Sequence, residues 1–345
     1  MPLGRKDLRG RVLRSVSRSF YLSLRILPAA LRDPLSLAYL LARATDTIAD
    51  TPEPSAALRT KALRELAAAI QGTAPTETAT RLRESFAPLQ SDERERTLME
   101  QLPALLAWLD ELEAGDRGEV RNVLAKINRG QMLDLERFGT GDELRALANA
   151  AELDEYTYLV AGCVGEFWTR LCFAHVKNFS DRSEAEMREL GARYGQGLQL
   201  INILRDAGAD LRHGRCYFPA NELNSLGMVA GEILRHPARI DPILEKWREK
   251  GQNGLEAGID YACAIRNRRV RFATALPALI GARTLALLRE AGAEALTRKV
   301  KVSRTEVRRM ILSNALASPR FLRGRFEKLQ GAAVYKPPTK KNGDL

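Results

Sequence analysis

Apolar side chains recur every three or four positions along most of this chain, which is the spacing of amphipathic helices. Alternating patterns typical of strands are nearly absent. The sequence therefore predicts an all-α protein, a single helical domain over residues 1–330 around a central cavity, with a disordered basic tail at 331–345. Helices are predicted over residues 17–31, 34–50, 53–72, 92–114, 118–138, 152–176, 229–235, 237–261, 268–290 and 304–316, with a long helix after Ser183 and a loop at 72–80.

One predicted helix carries a polar stripe on an otherwise apolar surface. Asp33 and Pro34 form a good helix start, with Asp as the N-cap and Pro at the first helical position. The helix is predicted to stop before Pro52, because a residue that precedes proline is disfavoured in the helical region. Helical spacing places four polar residues on one face: Tyr39, Arg43, Asp46 and Asp50.

A second polar stripe lies on the helix after Ser183, where Ser183 and Glu186 form a capping-box pattern. Two carboxylates at i and i+4 repel each other, and a lone Asp-x-x-x-Asp is usually a solvated face. Here amide side chains continue the stripe, and leucines and isoleucines surround it, which favours a stripe that lines a cavity. Its members are Gln199, Asn202, Asp206 and Asp210.

The two stripes together indicate a metal-dependent reaction on a phosphorylated substrate. Each stripe pairs two carboxylates with an arginine, Arg43 in the first and Arg205 in the second. Four carboxylates around one cavity need hard cations, and Mg²⁺ that bridges carboxylates to substrate phosphates is the usual solution. The pattern predicts a diphosphate handled by magnesium.

Glycines interrupt the predicted helix over residues 152–176. Gly162 and Gly165 each disfavour the helix by about 1 kcal/mol relative to alanine. Small residues in the middle of a helix let another backbone or a ligand approach closely. The pattern does not decide between close packing of another helix and close approach of a ligand.

The net charge is +11, from 54 Lys and Arg against 43 Asp and Glu. The arginines are spread along nearly every helix and aromatic residues make up 6% of the chain, whereas a nucleic-acid site usually clusters basic and aromatic side chains. We therefore predict no nucleic-acid partner. Anionic substrates and an anionic membrane surface explain the charge better.

Other functional classes lack their signatures. No P-loop, Gly-x-Ser-x-Gly or Gly-x-Gly-x-x-Gly motif is present. The four cysteines form no Cys-x-x-Cys pair, and the three histidines are too scattered for a zinc site. No signal-peptide pattern and no stretch near 18 uncharged apolar residues is found, which predicts a cytoplasmic protein, with peripheral contact to the inner membrane face left open.

Four blocks of the chain resemble the squalene/phytoene synthase family, whose members join two prenyl diphosphates head to head. They are residues 17–20 (Ser-Arg-Ser-Phe), 43–50, 156–165 and 199–219, in the order of the family, and the likeness runs from about residue 15 to 285. The chain resembles bacterial squalene synthases most. It departs from the family at Ala49 and Ala209, where a glutamate is frequent, and at Leu159, where a second tyrosine is common.

The resemblance implies the fold and the roles of individual residues. It implies an isoprenoid-synthase-type helical bundle around a central cavity, and a catalytic Tyr156. It further implies that Mg²⁺ is held by Asp46, Asp50, Asp206 and Asp210. The substrate-binding residues that it implies are Ser17, Arg18, Phe20, Arg43, Gln199, Asn202 and Arg205.

By this resemblance we expect a transferase that condenses two farnesyl diphosphates through presqualene diphosphate to squalene, with NADPH as reductant. One alternative is a non-reducing sister enzyme that makes presqualene diphosphate, dehydrosqualene or phytoene. Another is a non-catalytic helical protein that binds prenyl diphosphates or membranes. The chain shows no C-terminal membrane helix of the kind found in eukaryotic squalene synthases, which implies a soluble enzyme, as a monomer or weak dimer.

Overall fold

The computed structural model describes residues 3–17, 20–139, 144–314 and 317–331. Nearly all of the described chain is helical, which confirms the predicted all-α class. The α-helices are α1 (Arg5–Asp7), α2 (Leu13–Ser17), α3 (Phe20–Ile26), α4 (Ala29–Asp50), α5 (Ala56–Gln71), α6 (Thr78–Phe86), α7 (Glu93–Glu100), α8 (Leu102–Asp110), α9 (Ala114–Phe138), α10 (Ala150–Thr157), α11 (Cys163–His175), α12 (Glu184–Arg212), α13 (Ala220–Ser225), α14 (Asp241–Ala264), α15 (Arg268–Ala291), α16 (Arg304–Asn314) and α17 (Pro319–Gly331).

Short non-α elements complete the chain. Two residues from each of β1 (Arg145–Ala146) and β2 (Arg215–Cys216) form a parallel pair, which the sequence did not predict. Turns of π-helix span Leu8–Val12 and Tyr158–Gly162. Turns of 3₁₀-helix span Ala230–Glu232, Pro237–Ile240 and Gly292–Leu296.

The long helix α12 lies at the centre of the bundle and packs against α11, α14 and α15. Glycines make this packing close. A Cβ on Gly165 of α11 would lie 1.9 Å from the carbonyl oxygen of Gly191, and one on Gly197 would lie 2.6 Å from the Cα of Gly254. Helix packing therefore accounts for Gly165, one of the two glycines that the sequence left open.

The start of α4 differs from the prediction. The helix begins at Ala29, after Pro28, and Asp33 and Pro34 lie inside it. Asp33 forms an ion pair with Arg9 and does not cap the helix. The earlier start extends the apolar face to Leu31, which is fully buried, so tertiary burial outweighs the local signal for a cap at Asp33. The predicted helix over 17–31 ends at Ile26, because Leu27 precedes Pro28 and a residue before proline is disfavoured in the helical region.

Three further boundaries were wrong. The predicted helix over 92–114 is two helices that break at Gln101, because Pro103 has no N–H to donate back into α7 and lies in the first turn of α8, where that N–H is not needed. Gly115 and Gly118 do not separate helices, since α9 runs through both of them. The predicted helix over 229–235 is only a 3₁₀ turn, and α6, α13 and α17 were not predicted.

Among the described residues, one helical segment, Arg268–Leu296, is long and apolar enough to cross a membrane. This corrects the expectation that no stretch approaches that length and composition. Of its apolar window, 67% is buried within the protein, where α15 packs against α14 and α17. This burial is typical of a core helix. The predicted disordered tail lies, from residue 332 onward, outside the described residues.

Candidate active site

The C-terminal ends of α4 and α12 meet at a cleft of about 570 Å³. Asp50 of the first polar stripe and Asp210 of the second line this cleft together. Asp134 of α9, Arg59 of α5 and Arg215 of β2 add to its charged lining. The structure thus brings one carboxylate of each stripe to a common space, as the spacing predicted.

The short strand pair positions Arg215 at this cleft. The chain turns immediately after α12 at Gly214, whose φ of 80° lies in the left-handed region that favours glycine. The amide of Arg145 donates to the Gly214 carbonyl at 3.1 Å, and the amide of Leu147 donates to the Cys216 carbonyl at 3.0 Å. These bonds hold Arg215 between two acids, 3.3 Å from Asp134 and 3.8 Å from Asp50.

Asp46 lies one turn before Asp50 and is enclosed by neighbouring helices, although 45% of its side-chain surface remains open to solvent. Gln131 of α9 donates a hydrogen bond to it. Burial raises the pKa of Asp46 to about 6, Arg43 at 3.9 Å opposes the shift, and the charge of Asp50 adds to it. Arg43 itself forms an ion pair with Glu95 of α7.

The two aspartates of α12 differ in their ionic surroundings. Burial raises the pKa of Asp210 to about 6, and repulsion from Asp206 adds to the shift, while Arg215 opposes it. Asp206 pairs with Arg205, whose Nε lies 2.9 Å from Asp206 Oδ1. Arg205 also donates to the amide oxygen of Asn202 at 3.0 Å. Polar contacts therefore join Asn202, Arg205 and Asp206, whereas Asp210 faces repulsion from Asp206.

Tyr156 stands beside the cleft and is stacked on a second tyrosine. The ring centroids of Tyr156 and Tyr217 are 5.1 Å apart, with an interplanar angle of 24°. Their hydroxyl oxygens are 3.4 Å apart, and the Tyr217 hydroxyl donates to Asp134 at 2.7 Å. Burial raises the pKa of Tyr156 far above its usual range, and the Asp134 charge adds to the shift.

Tyr158 takes no part in this arrangement. The π-helical turn begins at Tyr158, and its hydroxyl accepts from Lys126 at 3.0 Å and donates to Glu166 at 3.2 Å. Its ring packs with a different apolar cluster from that of Tyr156. Positions two residues apart on a helix differ by about 200° around the axis, which explains why the two tyrosines point in different directions.

A separate cavity of about 270 Å³ lies along the earlier turns of α12. Its lining is mainly apolar and includes Val164, Trp168 and Leu198, with Gln199 and Asn202 from the polar stripe. The stripe therefore does not line one pocket, as predicted, but two: the amides line the apolar cavity and Asp210 lines the cleft. Because α12 rises about 1.5 Å per residue, Leu198 and Asp210 are roughly 18 Å apart along its axis.

The structure describes the predicted site residues of the 17–20 block only in part. Ser17 is buried, and its hydroxyl donates to the Leu13 carbonyl within its own helical segment. Arg18 lies outside the described residues, and for Phe20 the structure describes the backbone alone, at the start of α3. Their predicted roles in diphosphate binding stay predictions.

Sequence reasoning missed four side chains that shape the site. Gln131 and Asp134 lie three residues apart on α9, and a Gln-x-x-Asp spacing on a largely apolar helix was the available signal. Arg215 and Tyr217 belong to the block that carries the resemblance but were given no role. Only the fold shows that these residues meet Asp46, Asp50 and Tyr156.

The donors around the cleft fit Mg²⁺. Within the described ranges, no group of three or more His, Cys, Asp or Glu side chains converges closely enough to hold an ion alone. Mg²⁺, however, is usually held by one or two carboxylates plus phosphate oxygens and water. Burial raises the pKa of both Asp46 and Asp210 to about 6 although an arginine lies near each, so a cation bound beside them would stabilise their ionised forms. Beside Asp46, the buried Oε1 of Gln131 has no hydrogen-bond partner.

Comparison with known proteins gives a consistent result. A family model described as squalene/phytoene synthase matches residues 13–306. The bifunctional lycopene cyclase/phytoene synthase of Colletotrichum graminicola is 28% identical over 225 residues, which cover 64% of this chain and 35% of that protein. Squalene synthase of Homo sapiens is 24% identical over 279 residues, 80% of this chain and 62% of that protein. The matches thus span about a third and about three fifths of these relatives.

Solved structures share the fold. A structure of TcSQS in complex with the ligand E5700 superposes with a TM-score of 0.73 at 21% identity, covering 96% of this chain and 98% of that one. A dehydrosqualene synthase in complex with a ligand gives a TM-score of 0.63 at 20% identity, with 94% and 98% covered. At these identities the likeness establishes the helical architecture.

Proposed function

Because this chain belongs to the squalene/phytoene synthase family, we propose that it condenses two farnesyl diphosphates head to head, through presqualene diphosphate, to squalene, with NADPH as reductant. One observation carries the proposal: Asp50 and Asp210, from the two separate polar stripes, line a single cleft beside Arg215. A diphosphate is the substrate group that such a mixture of acids and arginine suits best.

The charged residues of the cleft would bind and orient the diphosphates. Asp46, Asp50, Asp206 and Asp210 would hold Mg²⁺, which when bound supplies positive charge for the departing diphosphate. Arg43 and Arg205 contribute cationic groups close to these acids. Charge stabilisation of a leaving group in a preorganised site is among the largest contributions to rate.

The apolar cavity along α12 suits a prenyl chain. Its lining of Val164, Trp168 and Leu198 keeps water from a carbocation. Gln199 and Asn202 offer the few polar groups in the lining, which is common in sites that orient a largely apolar ligand.

Tyr156 is the residue that we assign to proton removal. When the double bond of one farnesyl chain attacks the allylic cation of the other, a C–H bond must break so that its electrons close the cyclopropane ring. The Tyr156 hydroxyl is buried beside the cleft and within contact of a second hydroxyl, so it can receive a proton in a site from which water is excluded.

A non-reducing sister activity is the second candidate, and one observation favours it. The relatives that match this chain include a phytoene synthase at 28% identity as well as squalene synthases at 24–28% identity. The chain would then use geranylgeranyl diphosphate, or would stop at presqualene diphosphate or dehydrosqualene. Two features instead favour NADPH use: the segment 266–288 resembles the corresponding helix of squalene synthases, and the basic run at residues 298–304 could hold the phosphates of the cofactor.

One incubation separates these products. Purified protein receives farnesyl or geranylgeranyl diphosphate with Mg²⁺, with and without NADPH, and products are identified by mass spectrometry. Squalene that appears only with NADPH supports the proposal. Dehydrosqualene or presqualene diphosphate that accumulates regardless of NADPH supports the sister enzyme, and exclusive use of geranylgeranyl diphosphate supports phytoene synthesis. No diphosphate release from either substrate refutes both and favours a binding protein.

The C-terminal helices suggest a surface for an anionic membrane. Leu312 of α16 is 81% exposed and Phe321 of α17 is 48% exposed, and Arg308 and Arg309 are exposed on α16 as well. Exposed apolar side chains with flanking arginines are typical of peripheral membrane contact. We therefore keep a cytoplasmic monomer or weak dimer that touches the membrane as part of the proposal. Co-sedimentation with phosphatidylglycerol vesicles but not phosphatidylcholine vesicles, lost in Leu312→Ser/Phe321→Ser, is the expected result.

A further inference from the structure

Asp134 is a buried carboxylate without a role in the reaction steps proposed above. Only 12% of its side-chain surface is exposed. It accepts a hydrogen bond from the Tyr217 hydroxyl at 2.7 Å and lies 3.3 Å from Arg215, which is shared with Asp50. Burial of a carboxylate costs free energy, so a buried acid at a cleft is a candidate for a chemical role.

The hydrogen bonds around Asp134 have one consistent direction. A tyrosine hydroxyl has a single proton, and an ionised carboxylate can only accept. The Tyr217 hydroxyl therefore donates to Asp134. Since the Tyr217 proton is engaged by Asp134, a hydrogen bond across the 3.4 Å between the two tyrosine oxygens has Tyr156 as its donor. The order of donation is Tyr156 to Tyr217 to Asp134.

Packing holds this chain of groups in place. The two tyrosine rings are stacked, and Phe138 packs edge-on against Tyr217 with a centroid distance of 5.2 Å and an angle of 70°. Phe138 and Asp134 lie one turn apart on α9. Tyr217 is 7% exposed, directly after β2. These contacts hold the two tyrosine rings, and therefore their phenolic oxygens, in place.

We propose that Asp134 is the final acceptor of the proton lost as the cyclopropane ring closes, and that Tyr217 carries it there from Tyr156. The inference rests on the proposed function and names a further part of the same site. The substrate C–H bond breaks, its electron pair forms the C–C bond, and the proton binds to the Tyr156 oxygen. The Tyr156 proton moves to the Tyr217 oxygen, and the Tyr217 proton moves to Asp134 Oδ1, which becomes a neutral carboxylic acid.

Such a relay explains how Tyr156 can accept a proton although it is a neutral phenol. A neutral phenol is a weak base, and burial raises the pKa of Tyr156 so far that a standing phenolate is disfavoured. A phenol that gives up one proton as it receives another does not have to be ionised beforehand. Burial also raises the pKa of Asp134, which makes its carboxylate a better proton acceptor.

The decisive measurement is a partition ratio. Without NADPH, the amount of presqualene diphosphate is divided by the amount of diphosphate released. If the relay is broken, ionisation continues but water captures the cation, so prenyl alcohols replace the cyclopropyl product. We expect this ratio to fall at least about 100-fold in Tyr217→Phe and in Asp134→Asn, the lower end of the usual range for general acid–base contributions. A merely structural role would lower both amounts in parallel and leave the ratio unchanged.

Two matched controls are available, one for the tyrosine and one for the aspartate. Tyr158→Phe removes a hydroxyl that is bonded to Lys126 and Glu166, outside the cleft. Asp116→Asn changes another carboxylate of α9, 15% exposed and paired with His175. Both controls should keep the wild-type ratio.

A second measurement needs no variant. In D₂O both tyrosine hydroxyls carry deuterium, so ring closure through the relay should slow and the wild-type ratio should fall. An unchanged ratio in D₂O, or in active Tyr217→Phe and Asp134→Asn proteins, overturns the inference and leaves the proposed function standing. Wild-type protein that forms no head-to-head product overturns both.

Discussion

The guanidinium of Arg215 lies between Asp134 and Asp50, with Nη1 3.3 Å from Asp134 Oδ2 and Nη2 3.8 Å from Asp50 Oδ1. One cation thus links the acid beneath Tyr217 to the end of the first aspartate stripe. Because Asp134 is buried and Asp50 is largely exposed, the two contacts differ in consequence. The contact to Asp134 bears on stability, and the contact to Asp50 bears on the charge of the cleft.

Loss of Arg215 should therefore destabilise the fold. Arg215→Ala leaves Asp134 as a buried charge without its nearest cation, and we expect the free energy of unfolding to fall by about 3 kcal/mol. Urea denaturation measures this. Adding Asp134→Asn to Arg215→Ala should restore part of the loss, because the uncompensated charge is then gone. No recovery in the double variant would mean that packing of the Arg215 side chain, and not its charge, stabilises the site.

The aspartate stripes should be needed for turnover and not for folding. Asp46→Asn and Asp206→Asn are each expected to lower diphosphate release by at least about 100-fold, because the Mg²⁺-dependent stabilisation of the leaving group is lost. EDTA should have the same effect on the wild-type protein. Circular dichroism checks that the helices remain, and Asp181→Asn, at an exposed ion pair with Arg266, serves as a control. Substantial activity in either variant, or indifference to EDTA, would refute the metal assignment.

The stability of the metal-free protein should respond to pH through Asp210. Its pKa is about 6 in the folded state, against an ordinary value of 3.8, so folding takes up a proton between these values. The contribution of Asp210 to stability is therefore most favourable below about pH 4 and falls as the pH rises through 6. We expect Asp210→Asn to melt at a higher temperature than wild type at pH 8, with the difference vanishing near pH 4. A difference that is constant with pH would contradict the raised pKa.

Tyr156→Phe should retain substrate affinity and lose formation of the cyclopropyl intermediate. The ring and its stacking on Tyr217 remain, while the hydroxyl that receives the proton is removed. We expect KM to change little and the rate of presqualene diphosphate formation to fall by about 100-fold. Tyr158→Phe, with its hydroxyl bound to Glu166, should be close to wild type. A near-normal rate in Tyr156→Phe would assign the proton transfer to another group.

Alanine substitution should change the free energy of unfolding in opposite directions at two glycines, because only one of them is closely packed. A Cβ at Gly165 would lie 1.9 Å from the Gly191 carbonyl oxygen, so Gly165→Ala should lower the free energy of unfolding by about 1–3 kcal/mol as α11 and α12 separate. Gly118 lies in α9 with no neighbour within 4 Å, and Gly118→Ala should stabilise by about 0.5–1 kcal/mol. Thermal or urea unfolding of the pair compares the two directly. Equal effects would show that helix propensity, and not close packing, governs Gly165.

Several features of this protein are local, and for that reason the sequence alone determined them. The spacing of apolar residues sets the helices, and the capping box of Ser183 and Glu186 starts α12 as predicted. The i and i+4 spacing places Asp46 with Asp50, and Asp206 with Asp210, on their helix faces. Each of these relations depends on helical geometry over a few residues. The family resemblance likewise depends on short blocks of sequence, and the comparison with a family model confirms it.

The tertiary structure decided what these faces meet. Asp134 and Tyr217 are 83 residues apart, and neither has a neighbour in sequence that would indicate their hydrogen bond. The start of α4 was decided by the burial of Leu31 against other helices and not by the capping potential of Asp33. The polar stripe of α12 was divided between two cavities by the elements packed around it. Contacts between distant segments, burial and the resulting pKa shifts depend on the whole packed bundle, so no local pattern could supply them.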